Sequence, residues 1–208
     1  MSELLVRGGA KSLTLSDLDF VEPGNICRSK YLLSDVNSLK PIALANTLWS
    51  ISPYVQIEFL PNILKVLSNQ CELYEKTRKE LNQFDWIINC STDMELAYML
   101  DQMNIKARVF DFSISNDAKE FVAVTGSSIV SRKNRFYNDL DSKEADFYEG
   151  AGCFSPTFKA SYVDISALLQ FAMKNINYRL ENNIQMTSFI IRTKETQKGT
   201  IEFNLQTD

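Results

Sequence analysis

Three aspartates stand where the chain leaves a predicted β-strand, which is a common position for ligand-binding carboxylates in α/β proteins. Asp17 ends, and Asp19 follows, a short alternation of apolar and polar residues over 12–17 that predicts a strand. Asp93 follows a nearly continuous apolar run over residues 85–90, which is typical of a buried parallel strand. Ligands of doubly wound sheets bind beyond the carboxyl ends of the strands, where an acidic side chain commonly accepts hydrogen bonds from ribose hydroxyls. The three aspartates are therefore candidates for a nucleotide site.

The residue types that are missing narrow the chemistry further. The chain contains no histidine, which excludes Ser-His-Asp triads, histidine-assisted cysteine nucleophiles and metal sites built with histidine. The four cysteines form no Cys-x-x-Cys pair, so we expect free thiols and no zinc site: they are Cys27, Cys71, Cys90 and Cys153. Carboxylate, Arg/Lys and thiolate chemistry remain.

The overall composition favours a globular protein of the cytoplasm. The chain has 208 residues, of which 45% are hydrophobic and 23% charged, and this length is sufficient for one domain with a sizeable core. Its net charge of -4 argues against nucleic-acid binding driven by bulk charge. The apolar runs fall short of the roughly 18 residues that a membrane span requires, and the N-terminal residues do not resemble a signal peptide.

The pattern of apolar residues predicts an α/β fold. Strand and helix alternate to about residue 125, which favours a doubly wound, Rossmann-like sheet that is mostly parallel, with antiparallel strands at its C-terminal side. We predict helices over residues 2–7, 35–50, 62–83, 94–103 and 164–180, and strands over 12–17, 55–59, 85–90, 107–112, 120–125, 188–192 and 200–205. The polar tract over 126–152 shows no sustained period and is interpreted as a long crossover loop within a single domain spanning 1–208.

One expected part of a nucleotide site has no counterpart in the sequence. Gly8 and Gly9 precede Asp17 by only about eight residues, whereas the dinucleotide fingerprint places its acidic residue about twenty residues after the glycines. The two glycines also follow a predicted helix instead of opening one. We therefore expect that the chain begins inside the first helix of a nucleotide-binding unit, without the first strand and its glycine loop.

Three sequence blocks resemble a known enzyme family. The stretch LTLSDLDFVEPGNICRSKYLLSDVNSLKPIALANTLWSISPYVQIE carries a strand ending in Asp-x-Asp, then Asn-x-x-Arg, then a Lys that opens a helix, then a Pro before the next strand. This pattern resembles ThiF/MoeB-type enzymes, the adenylating domain of ubiquitin-like-protein activating enzymes. Its residues here are Asp17, Asp19, Asn25, Arg28, Lys40 and Pro53.

Two further blocks support the same resemblance. DWIINCSTD is similar to the family's strand that ends in a Thr-Asp pair, here Thr92 and Asp93. GCFSPTFKASYVDISALLQFA is similar to the C-terminal segment of bacterial members that are linked to ubiquitin-like conjugation systems. The resemblance covers roughly residues 3 to 180, so a single ThiF-type adenylation domain, truncated at its N-terminus, is expected.

The resemblance implies ATP-dependent adenylation of the C-terminal carboxylate of a ubiquitin-like or sulfur-carrier protein by a homodimeric enzyme. Arg28 and Lys40 would clamp phosphate oxygens as fixed cations, and Asn25 would help to position the phosphates. Asp17 would bind the ribose, and Asp93 would hold Mg²⁺. Cys153, which closes the crossover region, would be the thiol of any thioester intermediate.

Each of these residues also has a plainly structural interpretation. Asp17, Asp19 and Asn25 can cap turns, Asp93 can be the N-cap of the following helix, and Cys153 can be a small buried residue. Two other functions also remain open. A catalytically silent, partner-binding module or fragment without a complete ATP site would account for the missing glycine loop. An NAD-dependent enzyme is disfavoured, because the Asn-x-x-Arg motif has no role in hydride transfer.

Overall fold

The computed structural model describes residues 1–60, 63, 71–91, 93–138 and 160–207. The chain divides into two compact units. The first unit comprises Met1–Asn69 and Phe147–Tyr162, and the second comprises Gln70–Asp146 and Val163–Asp208. No helix in the described ranges is long and apolar enough to cross a membrane.

The first unit contains two parallel strands and two helices around a small apolar core. The elements are α1 (Ser2–Arg7), β1 (Ser12–Ser16), α2 (Lys40–Ile51) and β2 (Gln56–Leu60), with short 3-10 helices over Pro23–Arg28 and Leu33–Asp35. Strand β1 pairs with β2 in parallel, with Ser12 opposite Gln56 and Ser16 opposite Leu60. The core is formed by Val6, Leu48 and Val55, against which Leu13, Leu44, Ile51 and Ile57 pack. Burying the apolar stripe of α2 in this core holds the start of the helix near the end of β1.

The end of α1 explains why two glycines stand before β1. The amide of Gly9 donates to the carbonyl of Val6 at 3.0 Å, and the amide of Ala10 donates to the carbonyl of Leu5 at 2.9 Å, as in a Schellman motif. Gly9 has a φ of +97°, in the region that side chains with a Cβ rarely adopt. The two glycines therefore cap a helix, as the sequence predicted.

The second unit is built on a five-stranded sheet in the order β3-β4-β5-β6-β7. Its strands are β3 (Trp86–Asn89), β4 (Arg108–Ser115), β5 (Glu120–Thr125), β6 (Phe189–Glu195) and β7 (Ile201–Thr207). Strands β3 and β4 are parallel, and every later pair is antiparallel. The mixed α/β class, with antiparallel strands toward the C-terminus, agrees with the prediction.

Helices α3 (Cys71–Leu81), α4 (Met94–Gln102), α5 (Ile129–Asn138) and α6 (Tyr162–Glu181) complete the second unit. Leu168, Ala172 and Ile176 of α6 are fully buried, which confirms the apolar stripe predicted for that helix. Within the sheet, neighbouring rings of Phe110, Phe112 and Phe121 lie 5.3 to 5.6 Å apart between centroids. Such offset aromatic packing adds to the free energy gained from burying the rings.

Three local predictions differ from the structure. Helix α2 begins at Lys40 and not at residue 35, because Pro41 favours the first turn of a helix and a 3-10 turn precedes it. Pro23 opens a 3-10 helix where a simple turn was expected. Part of the crossover region expected to be irregular, 126–152, is helical as α5, and residues 139–152 lie outside the described ranges.

Candidate functional site

The end of β1 and the start of α2 are joined by main-chain and side-chain bonds. The amide of Lys40 donates to the carbonyl of Asp19 at 2.8 Å, and its Nζ lies 2.9 Å from Oδ2 of the same aspartate. The side chain of Lys40 is 16% exposed, whereas that of Asp19 is 57% exposed. Oδ1 of Asp17 accepts a hydrogen bond from the amide of Asp19 at 2.8 Å, which fixes the turn after the strand. Lys40 is therefore a cation held in one place, although it is distant in sequence from its partner.

The position of Lys40 has an electrostatic consequence. It is the first residue of α2, and the N-terminus of a helix carries partial positive charge, so a lysine there is less favourable than an acidic residue. Asp19 offsets part of this repulsion. A lysine and a helix N-terminus together make a region of positive potential that suits phosphate oxygens.

Asn25 and Arg28 lie in the same short 3-10 helix, Pro23–Arg28. Oδ1 of Asn25 accepts a hydrogen bond from the amide of Glu22 at 2.9 Å, and the residue is buried. The structural alternative for Asn25, that it caps a turn, is therefore observed. Arg28 ends the helix with a half-buried side chain. The helix thus holds both residues of the Asn-x-x-Arg motif in a fixed arrangement.

Tyr31 was not predicted from the sequence, yet it belongs to the surroundings of Asp17. Burial, followed by the charges of Asp17, Asp35 and Asp19, raises the pKa of the Tyr31 hydroxyl from 10.0 to about 12. The hydroxyl therefore stays protonated at neutral pH and can donate a hydrogen bond. A tyrosine next to a basic residue carries no sequence signal that would have identified it.

In the second unit, Asp93 occupies the N-cap of α4. Its Oδ1 accepts hydrogen bonds from the amides of Glu95 at 2.8 Å and Leu96 at 3.2 Å. The structural interpretation of Asp93 as an N-cap is therefore correct. Because both bonds end on Oδ1, a cation would be ligated through Oδ2. Among the described residues, no group of three or more Cys, Asp or Glu side chains is arranged to hold a metal.

A buried ion pair lies between the sheet and α5. The Nζ of Lys133 is 2.7 Å from Oδ1 of Asp111, and both side chains are only 1% exposed. Oδ2 of the same carboxylate accepts a hydrogen bond from Nδ2 of Asn89 at 2.7 Å. Asn89 is the last residue of β3 and stands opposite Asp111 in the parallel pairing with β4. The carboxylate is thus satisfied on both oxygens, as a buried charge requires.

The same network continues toward Asp93. Oδ1 of Asn89 accepts hydrogen bonds from the amide of Ser91 at 3.0 Å and from its hydroxyl at 2.7 Å. The amide of Asp93 in turn donates to the Ser91 hydroxyl at 3.3 Å. A continuous chain of polar contacts therefore connects the buried Lys133 to the cap of α4. Asn89, Asp111 and Lys133 were not predicted from the sequence, although the first two are polar residues within otherwise apolar strands.

Among the described residues, Cys27 and Cys90 are free cysteines that form no disulfide. Cys27 is exposed, and its Sγ lies 3.4 Å from the carbonyl oxygen of Gly24. Cys90 is an exposed residue, but burial of its sulfur, with a smaller contribution from the charge of Asp111, raises the pKa of the thiol from 9.0 to about 11. Cys153 and Thr92 lie outside the described residues.

The predicted site residues fall into two groups. Asp17, Asn25, Arg28 and Lys40 belong to the first unit, where the structure joins the Asp17–Asp19 turn directly to Lys40 and places Asn25 and Arg28 together in one helix. Asp93 belongs to the second unit, at the end of the polar chain that starts at Lys133.

Comparisons with solved structures show where this fold occurs elsewhere. E. coli MccB in complex with MccA superimposes with a TM-score of 0.61 at 13% identity, over 99% of this chain and 59% of MccB. MccB with AMPCPP and MccA gives a TM-score of 0.62 at 12% identity, with the same coverage of both chains. PaaA gives a TM-score of 0.56 at 14% identity, over 98% of this chain and 67% of PaaA. At such identities the likeness shows the fold, which is the Rossmann-like α/β fold that the sequence predicted.

The family of the chain follows from its sequence. This chain spans 59% of the length of MccB. A comparison with curated proteins finds no significant match. The model of the ThiF family matches residues 1–145, which is more than half of the chain. The chain therefore belongs to the ThiF family.

Proposed function

We propose that this chain is part of an enzyme that adenylates the C-terminal carboxylate of a peptide or protein with ATP. The observation that carries the proposal is the fixed position of Lys40, which Asp19 holds at the start of α2 by a main-chain and a side-chain bond. Negative charge near that end of a helix is favourable, and the phosphates of ATP would add such charge beside that of Asp19.

The reaction is a transfer at the α-phosphorus of ATP. A carboxylate oxygen of the substrate attacks this phosphorus, the bond to the bridging oxygen of the β-phosphate breaks, and pyrophosphate leaves with the bonding electrons. Positioning and neutralisation of charge provide most of the catalysis in such reactions. Lys40 and Arg28 would bind phosphate oxygens, Asn25 would help to position the phosphates, and Asp17 would accept a hydrogen bond from the ribose.

The chemistry of Asp93 fits a magnesium ion that is carried by the nucleotide. Mg²⁺ is usually bound by one or two carboxylates together with substrate phosphates and water, so a single carboxylate is sufficient. Oδ1 of Asp93 is fixed by two amides, and Oδ2 would ligate the ion. When bound, the ion would neutralise charge on the departing pyrophosphate. Asp93 would hold it in place while it also caps α4.

The proposed substrate is a peptide or protein with a free C-terminal carboxylate. MccB structures contain MccA, and one contains N-formylated MccA, which supports a peptide or protein carboxylate. The narrower proposal is a ubiquitin-like or sulfur-carrier protein and a homodimeric, cytoplasmic enzyme, and it rests on the motif resemblance alone. A thioester on Cys153 stays a prediction.

A second candidate function is a catalytically silent, partner-binding ThiF-fold module. It stays open as the alternative because the printed sequence contains no recognisable glycine-rich phosphate loop. This candidate predicts a folded chain that does not bind Mg-ATP.

Exchange of radioactive pyrophosphate into ATP tests the proposal, because exchange requires reversible formation of an acyl-adenylate. We expect exchange in the presence of Mg²⁺ and a candidate protein with a free C-terminal carboxylate, and none when that C-terminus is amidated. Lys40→Met should abolish the exchange, whereas Lys11→Met, at an exposed lysine of the same unit, should leave it unchanged. Equal exchange in the two variants would exclude Lys40 from the reaction.

A further inference from the structure

The buried network that starts at Lys133 ends at the residue assigned to Mg²⁺. We propose that Lys133, Asp111 and Asn89 are positioning residues that fix the turn before α4 and thereby aim the carboxylate of Asp93. This inference rests on the proposed function for the role of Asp93. The geometry of the turn can be tested without it.

A buried ion pair is poorly explained by stability alone. Removing two charges from water is unfavourable, and replacing such a pair by apolar residues often leaves a protein equally stable. The Lys133–Asp111 pair is 99% buried on both sides, and the rings of Phe110 and Phe112 flank Asp111 in the sequence of β4. A role in selecting one arrangement of its neighbours would explain why charge is present here.

The arrangement selected is the orientation of the Asn89 amide. An ionised carboxylate only accepts hydrogen bonds, so Asp111 requires the NH₂ group of Asn89 to face it, as observed at 2.7 Å. The opposite side of the amide, Oδ1, then faces Ser91 and accepts from both its amide and its hydroxyl. The ammonium group of Lys133 lies 2.7 Å from Oδ1 of Asp111, so Oδ2 is the carboxylate atom that faces Asn89.

Loss of the charge on Asp111 would therefore change the turn before α4 indirectly, through Asn89. A protonated carboxyl or an amide at position 111 can donate to Asn89 and would favour the flipped amide. After the flip, NH₂ of Asn89 would face the amide of Ser91, and two donors cannot bond to each other. The turn would become less ordered. The Ser91 hydroxyl, which accepts a hydrogen bond from the amide of Asp93, would then no longer be fixed.

Asp111→Asn is the sharpest test, because it changes the donor pattern at nearly constant shape. Hydrogen exchange of the segment over residues 89–97, measured by mass spectrometry, should become about tenfold faster in this variant, whereas exchange in β5 and β6 should not change. Asp85→Asn, at an exposed aspartate just before β3, is the matched control and should exchange like the wild type. Wild-type exchange over 89–97 in Asp111→Asn would overturn the proposal.

A second variant covers the outcome in which Asp111→Asn does not fold. Lys133→Met combined with Asp111→Leu removes both charges and should keep the core packed, but it leaves the NH₂ of Asn89 without its acceptor. Faster exchange over 89–97 is again expected, and unchanged exchange would contradict the proposal.

Nucleotide binding adds the functional half of the test. The Mg²⁺ concentration that half-saturates ATP binding should rise about 10- to 100-fold in Asp111→Asn, the usual effect of removing a partner of a metal ligand. An unchanged Mg²⁺ requirement would show that the turn does not aim Asp93. If the wild type does not bind Mg-ATP, the proposed function fails, whereas the hydrogen exchange still decides whether the network fixes the turn.

Discussion

The ammonium group of Lys40 lies 2.9 Å from the carboxylate of Asp19, across 21 residues of sequence, and a main-chain bond joins the same two residues at 2.8 Å. These two bonds fix the positions of Asp19 and Lys40, two residues of the sequence motif, relative to each other. Because the lysine stands at the positive end of α2, an anionic ligand at this place would be attracted both by the ammonium group and by the helix N-terminus. Removing its charge should therefore affect ligand binding more than folding.

Lys40→Met should weaken Mg-ATP binding roughly 10- to 100-fold, the expected loss of one charge-assisted hydrogen bond. The free energy of unfolding should change by at most about 1 kcal/mol, because Asp19 is largely exposed and such ion pairs contribute little. Calorimetric titration with Mg-ATP and urea denaturation measure the two effects. Unweakened binding in Lys40→Met would contradict the assignment, and Lys11→Met serves as the control.

The two roles of Asp93 can be separated by two substitutions. Asparagine is as good an N-cap as aspartate, so Asp93→Asn should retain the free energy of unfolding. Asp93→Ala removes the bonds to the amides of Glu95 and Leu96 and should destabilise the chain by about 1 kcal/mol. Denaturation by urea distinguishes them. Equal stability of Asp93→Ala and wild type would show that the cap is energetically unimportant.

Asn25 permits a similar separation of structure from ligand binding. Asn25→Ala removes a buried acceptor for the amide of Glu22 and should lower the free energy of unfolding by about 1–2 kcal/mol. Asn25→Asp keeps an oxygen at that place, so it should be more stable than Asn25→Ala but should bind ATP more weakly than wild type because of its negative charge. Wild-type affinity in Asn25→Asp would exclude the residue from the phosphate site.

The raised pKa of Tyr31 predicts a dependence of stability on alkaline pH. The unfolded state releases the phenolic proton near pH 10, whereas the folded state keeps it to about pH 12, so the folded state binds more protons between these values. Its contribution to stability is complete below pH 10 and is lost as the pH rises toward 12. In urea denaturation, the stability of wild type should fall more steeply above pH 10 than that of Tyr31→Phe. Parallel curves would contradict the assignment.

Lys133→Met should be the most destabilising of these substitutions. It leaves the carboxylate of Asp111 buried without its cation, which typically costs about 3–5 kcal/mol. Adding Asp111→Leu should restore most of that loss, because both charges are then gone. Thermal and urea denaturation of the single and double variants measure the difference, and a double variant less stable than Lys133→Met would be the contrary result.

Local sequence signals predicted much of the fold and the N-cap position of Asp93. Asp93 lies between an apolar strand and a helix. That position predicted it both as the N-cap of the helix and as a Mg²⁺ ligand, and the second role stays a prediction. Strands over 188–192 and 200–205 were predicted and are observed as the antiparallel pair β6 and β7, and Gly199 between them has a φ of +74°, which suits a tight turn. Such features depend on neighbours within a few residues.

The remaining features depend on contacts that are distant in sequence. Helix α5 was missed because Lys133 occupies a position between Ile129 and Phe136 that an apolar residue normally fills, and all three are buried. Its partner Asp111 lies 22 residues earlier, so only the folded sheet reveals why a lysine is tolerated there. The pKa of Tyr31 likewise depends on its burial in the folded chain and, to a smaller extent, on carboxylates that the fold brings near it.

Calorimetric titration of the chain with Mg-ATP, in parallel with Asp93→Asn, tests the adenylation site. We expect that wild type binds Mg-ATP and that Asp93→Asn, although equally stable, loses the Mg²⁺-dependent part of the binding. A folded wild type that does not bind Mg-ATP, or an Asp93→Asn variant that binds it with wild-type affinity and Mg²⁺ dependence, would contradict the account.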